Sequence, residues 1–383
     1  MIATNEPSLE LRLGEIREIL KAPGPCITIT LPAYHPGEPA GSMSANLKSN
    51  LQEISTRLAA HHVSGTSAAD LLAPLERLVN DPAMEGGSHW GRVIFRAPSV
   101  LKQFELTLPP KATVSVGSTF AIRDIAGEFG RPSAFYVLTL SRSGVHLSRC
   151  AGRHCESVKL PYGVPETLEE AMAFEPPDHD LENRSAASGS ASGRRAVRFG
   201  TGSGREKQRL HVADYYKLVD RAVRSLLQEG EIPLILSGVE EDCAAFRAVT
   251  ACRHLVHRTI AKQDGVRDGE KLLLSAYAVL AAEQSERQAA ALRSAMERVA
   301  PSRFVSDPKA VLEAAFDGLI KELYAIENAK IMGEWERDGH RSWEDEDLIN
   351  AAMAQTILCH GEAAALPAGM MPAGLEVAAI LHY

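Results

Sequence analysis

Residues Leu181 to His211 cannot enter a hydrophobic core, and the rest of the chain has to fold on either side of them. The stretch reads LENRSAASGSASGRRAVRFGTGSGREKQRLH, with Gly189, Gly193, Gly200, Gly202 and Gly204 set among small residues. Seven cations (Arg184, Arg194, Arg195, Arg198, Arg205, Lys207, Arg209) face two acids (Glu182, Glu206), a local +5 in a chain of formal charge -8. So little apolar surface does not offset the entropy of ordering the backbone, which predicts an exposed loop over 181–211. Connections usually run to about 4–6 residues, so one of about thirty is either functional or a linker.

The 383 residues are enough for two or three domains at roughly 150 residues each. A hydrophobic share of 45% with 23% charged residues is that of an ordinary globular protein. No apolar run reaches the roughly 18 residues of a membrane helix, and the opening MIATNE has neither a basic nor an apolar signal region. A cytoplasmic protein with no membrane partner is expected. The six cysteines are scattered without a C-x-x-C pair, which fits a reducing compartment. A net charge of -8 argues against a protein that coats nucleic acid, and no DNA partner is expected; a local basic loop still suits phosphate.

Strand and helix patterns alternate along the chain and predict three α/β domains, over 1–131, 132–250 and 251–383. In the first, Ser8 caps a helix to about Lys21, Cys26–Leu31 is a strand, and helices cover 43–61 and 68–79. Strands are expected at Gly91–Phe95 and Phe104–Leu108. The second opens with a hairpin, Ala134–Leu140 and Val145–Cys150, then a strand over 156–160 and a short helix capped by Thr167. After the basic loop come a helix from His211 to about Gln228 and a strand, Ile232–Leu236. The third holds helices over 240–250, 270–299, 307–324 and 345–359, closing on a strand, Leu375–Leu381.

Few residues in this pattern carry chemistry. Gly200-x-Gly202-x-Gly204 lacks the lysine and hydroxyl that complete a phosphate loop, and no strand runs directly into it. Asp178-His179-Asp180 reads as a solvated turn, since consecutive residues seldom converge on one ion. Cys150 and Cys155, with His154 between, read as incidental. His61-His62 and His89-Trp90 read as packing residues, Cys359-His360 as a helix end, and His254 with His257 as sharing a helix face. No metal or other cofactor is expected, and no catalytic constellation is visible. Only the cationic loop rises above background.

Several strings resemble a known family. FYVLTLSRSGVHLSRCAG at 135–152, GRRAVRF at 193–199, HVADYYKLVDRAV at 211–223 and IPLILSGV at 232–239 resemble the central domain of archaeal and eukaryotic class-one peptide release factors and of Pelota. EDEDLINAAMAQTILCHGEAAALP at 344–367 and MPAGLEVAAILHY at 371–383 are similar to the end of the bacterial archaeo-eukaryotic release factor proteins, most like their family 3. The resemblance implies an RNase H-like central domain and a C-terminal sandwich similar to the kink-turn-binding ribosomal proteins. It also implies that the loop stands where release factors carry Gly-Gly-Gln. Here that place is held by Ser192-Gly193-Arg194, and arginine is a permanent cation with no acceptor, unlike a glutamine amide.

The leading expectation is a ribosome-associated factor in rescue, termination or quality control. Its RNA contacts, to rRNA or tRNA, are Gly193, Arg194, Arg195, Arg198, Gly200, Gly202, Gly204, Arg205, Lys207 and Arg209. Two rivals remain open. One is a peptidyl-tRNA hydrolase or an RNase H-like nuclease, and the other a non-catalytic partner-binding protein whose loop is a linker.

Overall fold

The computed structural model describes residues 9–33, 42–84, 90–132, 134–141, 144–152, 154–161, 164–165, 167, 170, 203–227, 232–261, 269–337 and 340–382. In chain order the elements are α1 (Leu9–Leu20), β1 (Cys26–Pro32), α2 (Ser42–Ala60), α3 (Thr66–Val79), β2 (Gly91–Ala97), β3 (Val100–Leu106) and β4 (Thr113–Gly117). Then follow β5 (Ala134–Ser141), β6 (Gly144–Ala151), β7 (His154–Val158), α4 (Ser203–Leu226), β8 (Leu234–Gly238), α5 (Glu240–Val249), β9 (Leu255–Ala261) and α6 (Gly269–Arg298). The last part holds β10 (Phe304–Val305), α7 (Pro308–Phe316), β11 (Ile320–Ile326), β12 (Met332–Gly333), β13 (Glu336–Arg337), β14 (His340–Arg341), β15 (Glu346–Asp347), α8 (Leu348–Leu358), β16 (Glu362–Leu366) and β17 (Val377–Leu381). The α/β class expected from the sequence stands. The chain divides into two compact units, residues 1–133 with 280–383, and residues 134–279.

The first unit holds an antiparallel sheet in the order β3-β2-β1-β4 and a mixed one in the order β10-β17-β11-β16. Alternation sends Ile27, Ile29, Leu31 and Ile94 towards Leu47, Ile54 and Leu58 of α2 and Leu71, Leu75 and Leu78 of α3. The opposite face of the same sheet puts Cys26, Val93 and Phe95 into a core shared with Val311, Met353 and Ala379. Two helices missed by no more than a few residues in the sequence therefore cover one face, and the end of the chain covers the other. Sheet β10-β17-β11-β16 turns Tyr324, Ala378 and Ile380 towards Ala289 and Leu292 of α6.

One polar residue stitches this unit together. The Asn350 amide, on α8, accepts from Ile122 N (2.8 Å) and Arg123 N (3.3 Å) and donates to the Phe120 carbonyl (2.9 Å). Asp347 caps α8 by accepting from Ile349 N (3.2 Å) and Asn350 N (3.4 Å), and pairs with Arg123 at 2.8 Å. Burial pushes the Asp347 carboxyl up, while Arg123 and the capping bonds pull it back. Ser118 donates to Glu346 from both its backbone N–H and its hydroxyl. Burial, reinforced by the Glu346 charge, pushes the Cys26 thiol up to about 12. Because the thiolate is the nucleophile, Cys26 should escape iodoacetamide at pH 8 in the native protein and be alkylated only in denaturant. Peptide mass spectrometry checks this; labelling of native Cys26 at the rate of an unfolded thiol contradicts it.

Three sequence expectations are corrected here. The helix expected over 307–324 ends at Phe316, and β11 follows. Gly318, at φ 67, supplies the left-handed stop, after which Ile320, Leu323 and Tyr324 pack as a strand. His254 and His257 share no helix; His254 precedes β9 and His257 lies within it. Cys150 and Cys155 are not incidental but form a disulfide, because the β6–β7 register sets them directly opposite each other. His61 is a packing residue as expected, stacked on Trp343 at 3.9 Å and paired with Asp345 at 3.1 Å.

Candidate nucleic-acid interface

The second unit is built on a five-stranded sheet in the order β7-β6-β5-β8-β9. Strand β6 runs antiparallel to both its neighbours, while β5, β8 and β9 are mutually parallel. Leu138, Leu140, Leu234 and Leu236 are fully buried, so the central strands read as apolar runs rather than alternating ones. Tyr277 of α6 is buried here, with its ring edge-on to Phe135 at 5.0 Å and its hydroxyl donating to the Gly152 carbonyl at 2.7 Å.

The chain leaves this sheet after β7 and returns to it as α4. Gly193, Arg194, Arg195, Arg198, Gly200 and Gly202 lie outside the described residues, as do Asp178, His179, Asp180 and His89. Gly204, Arg205, Lys207 and Arg209 fall within the first turns of α4, which begins at Ser203 and not at His211 as the composition implied. Glycines at 202 and 204 read as loop, but the following REKQRL is made of strong helix formers, against which one internal glycine costs only about 1 kcal/mol. Thr167, expected to cap a short helix, accepts from Glu170 N at 3.0 Å.

The body of α4 is fastened to the sheet. Tyr215, Tyr216, Val219 and Val223 are buried at spacings of one, three and four residues, one apolar face of a helix. Tyr216 meets Phe246 of α5 edge-on at 5.9 Å. Burial pushes the Tyr216 hydroxyl well above the usual phenol range, and its hydrogen bond to the Asp242 carboxylate adds to this, so it stays a neutral donor. Asp220, 3% exposed, accepts from Thr250 Oγ1 (2.6 Å) and from Arg224 Nε (2.8 Å), tying α4 to the turn before β9. The body of α4 from Tyr215 to Val223 is thus held against the sheet, and Arg205, Lys207 and Arg209 lie in the turns that precede it.

Among the described residues no group of three or more His, Cys, Asp or Glu is placed to hold a metal ion. Asp220 and Asp242 are each engaged by neutral or cationic partners, as above. In the first unit a cleft of about 350 Å³ is lined by Arg17, Glu322, Tyr324, His360 and Glu362. Its polar groups largely satisfy one another: Lys321 and the Tyr324 hydroxyl donate to Glu322 at 2.7 and 2.8 Å, and Arg17 donates to the Ile357 carbonyl at 3.1 Å. Among the described residues no helix is long and apolar enough to cross a membrane.

These observations define a mixed α/β protein whose second unit carries a cationic stretch between an edge hairpin and a firmly packed helix. Residues 134–318 match the family model for bacterial archaeo-eukaryotic release factor family 3, so this part of the chain is release-factor-like. No curated protein matches the sequence. Among solved structures, an archaeal translation termination factor, aRF1, aligns at 14% identity over 98% of this chain and 99% of that one, with TM-score 0.24. Archaeoglobus fulgidus Pelota aligns at 12% identity over 76% and 79%, with TM-score 0.36. Archaeal Pelota in a ribosome-bound model with ABCE1 aligns at 9% over 98% and 94%, with TM-score 0.33.

Proposed function

We propose that this chain is a cytoplasmic, ribosome-associated translation factor acting in rescue, termination or quality control. On this reading the stretch from Asn183 to Arg209 contacts ribosomal or transfer RNA. The observation that carries the reading is that the release-factor family match over 134–318 brackets the most cationic stretch of an acidic chain. Arg194, Arg195, Arg198, Arg205, Lys207 and Arg209 meet phosphates, while Gly193, Gly200, Gly202 and Gly204 allow the backbone close approach. The sheet order, with a lone antiparallel strand second from one edge, supports an RNase H-like central domain. The three larger sheets support a division into three domains near 1–131, 132–250 and 251–383, with β9 (Leu255–Ala261) added to the central one.

Release by the family's glutamine chemistry is not part of this proposal. Positioning water on an ester and stabilising its oxyanion needs groups that both donate and accept, and Arg194 only donates. The full chain, incubated with stalled ribosome complexes, is expected to co-sediment with them and leave the peptidyl-tRNA intact. Peptide freed by the wild type but not by Arg194→Ala supports a hydrolase instead. Failure to co-sediment at low salt removes the ribosome from the proposal altogether.

A further inference from the structure

The cleft of about 350 Å³ in the first unit has the size of a small-molecule site, which runs from roughly 300 to 1,000 Å³. Leu13, Ala126, Phe129 and Ile357 give it apolar walls. Glu322 and the Tyr324 hydroxyl satisfy each other within it, but its other charged and ring groups find no protein partner. Arg17 on α1 uses only Nε, which donates to the Ile357 carbonyl at 3.1 Å, and its two terminal nitrogens meet no acceptor among the described residues. The His360 ring and the Glu362 carboxylate also line the cleft, and neither has a hydrogen-bond or ion-pair partner among the described residues.

The backbone brings these groups together. Helix α8 ends at Leu358, and His360 turns the chain at φ 67, where helices usually place glycine. Here the glycine comes one residue later, because a Cβ on Gly361 would approach the Ile320 carbonyl to 2.5 Å. A left-handed histidine costs on the order of 1 kcal/mol, and such strain gathers at functional sites. Strand β16 then sets Glu362 directly opposite Glu322 of β11. Like charges facing each other across a ladder repel. Lys321 relieves Glu322 at 2.7 Å, while no cation is paired with Glu362 among the described residues. From Ile357, where Arg17 is anchored, the chain reaches Glu362 within about 17 Å even if extended, and the turn at His360 shortens that.

A phosphate in this cleft would face two carboxylates, and a metal ion would face Arg17. A zwitterion carries both complements one carbon apart. We propose that the cleft binds a free α-amino acid with an apolar side chain, whose carboxylate is taken by Arg17 and His360 and whose ammonium is taken by Glu362. Leu13, Phe129 and Ile357 receive the side chain. The guanidinium fork suits a carboxylate, and an ammonium beside Glu362 relieves its repulsion with Glu322. Every one of these residues belongs to the first unit, so binding here stands or falls separately from the ribosome reading.

The test is equilibrium dialysis of the full chain with L-phenylalanine, with N-acetyl-L-phenylalanine, which lacks the ammonium, and with L-phenylalaninamide, which lacks the carboxylate. Each derivative is expected to bind at least about tenfold more weakly than the amino acid, through loss of one charge-assisted contact. In Glu362→Gln the preference over the N-acetyl form should vanish while the preference over the amide remains. Arg17→Gln should do the reverse. Arg17 also holds the end of α8, so if that variant melts early, Glu362→Gln, on an exposed side chain, carries the test alone. An N-acetyl form bound as tightly as the amino acid overturns the free amino acid in favour of a peptide C-terminus, and an amide bound as tightly overturns the carboxylate contact. Preferences that survive Glu362→Gln unchanged overturn the site, as does the absence of binding by all three ligands at millimolar concentration.

Discussion

Reversing the charge of Arg194, Arg195 and Arg198 to glutamate is expected to weaken ribosome binding by at least about a thousandfold at low salt. Each arginine–phosphate contact is a charge-assisted hydrogen bond, worth about 1.5–3 kcal/mol, and each releases counterions from the RNA. Losing three such contacts also lowers the salt dependence, since the slope scales with the number of phosphates neutralised. The melting temperature should stay near that of the wild type, because the three substitutions exchange one charged side chain for another and remove no apolar group. Sedimentation with ribosomes across a salt series reads both quantities. Unchanged affinity and slope would make the stretch a spacer and transfer the RNA contact to another surface.

Asn350→Ala is expected to destabilise the first unit by about 3–5 kcal/mol. Its amide serves three backbone groups, Ile122 N, Arg123 N and the Phe120 carbonyl, and the residue is only 6% exposed. Alanine leaves all three unsatisfied out of reach of water, at about 1–3 kcal/mol each before relaxation. Asn350→Asp is also destabilising, since a carboxylate cannot donate to Phe120 O and enters a site already facing Asp347. Chemical denaturation of the full chain measures the loss, best followed by Trp90, which is buried in this unit. A shift below 1 kcal/mol would mean that the backbone there finds other partners. RNA binding by the second unit should survive either substitution under native conditions.

Much of the fold was legible where local pattern and burial agree. The hairpin from Ala134 to Ala151 is read directly from two runs of strand-forming residues around a tight turn, and α2 from Leu47, Leu51, Ile54 and Leu58 at helical spacing. Asp307-Pro308 announces a helix start, and Asp307 indeed accepts from Ala310 N at 3.0 Å. Strands β4 and β9 were missed for a shared reason. Thr113–Gly117 is only half-buried over most of its length, and β9 exposes His257, Arg258 and Thr259, so neither shows the apolar run that identifies a strand. Of the candidate site, the cationic stretch was plain from composition. The early start of α4 was not, because two glycines outweighed the helix formers after them.

By itself the sequence determined the class of the protein, the positions of most elements and the cationic stretch, because these follow from spacing, charge and backbone preference within about ten residues. It also carried the release-factor likeness, in short strings that the family match over 134–318 repeats. Tertiary structure decided what joins what. Residues 1–133 and 280–383 share one core through Asn350, Arg123 and the apolar faces of two sheets, which no local pattern announces. The Cys150–Cys155 pairing, the burial of Asp220 of α4 against Thr250 and the register shift in β9 likewise come from strand register and packing between separate segments. Those depend on which surfaces meet in space, and spacing along the chain does not encode that.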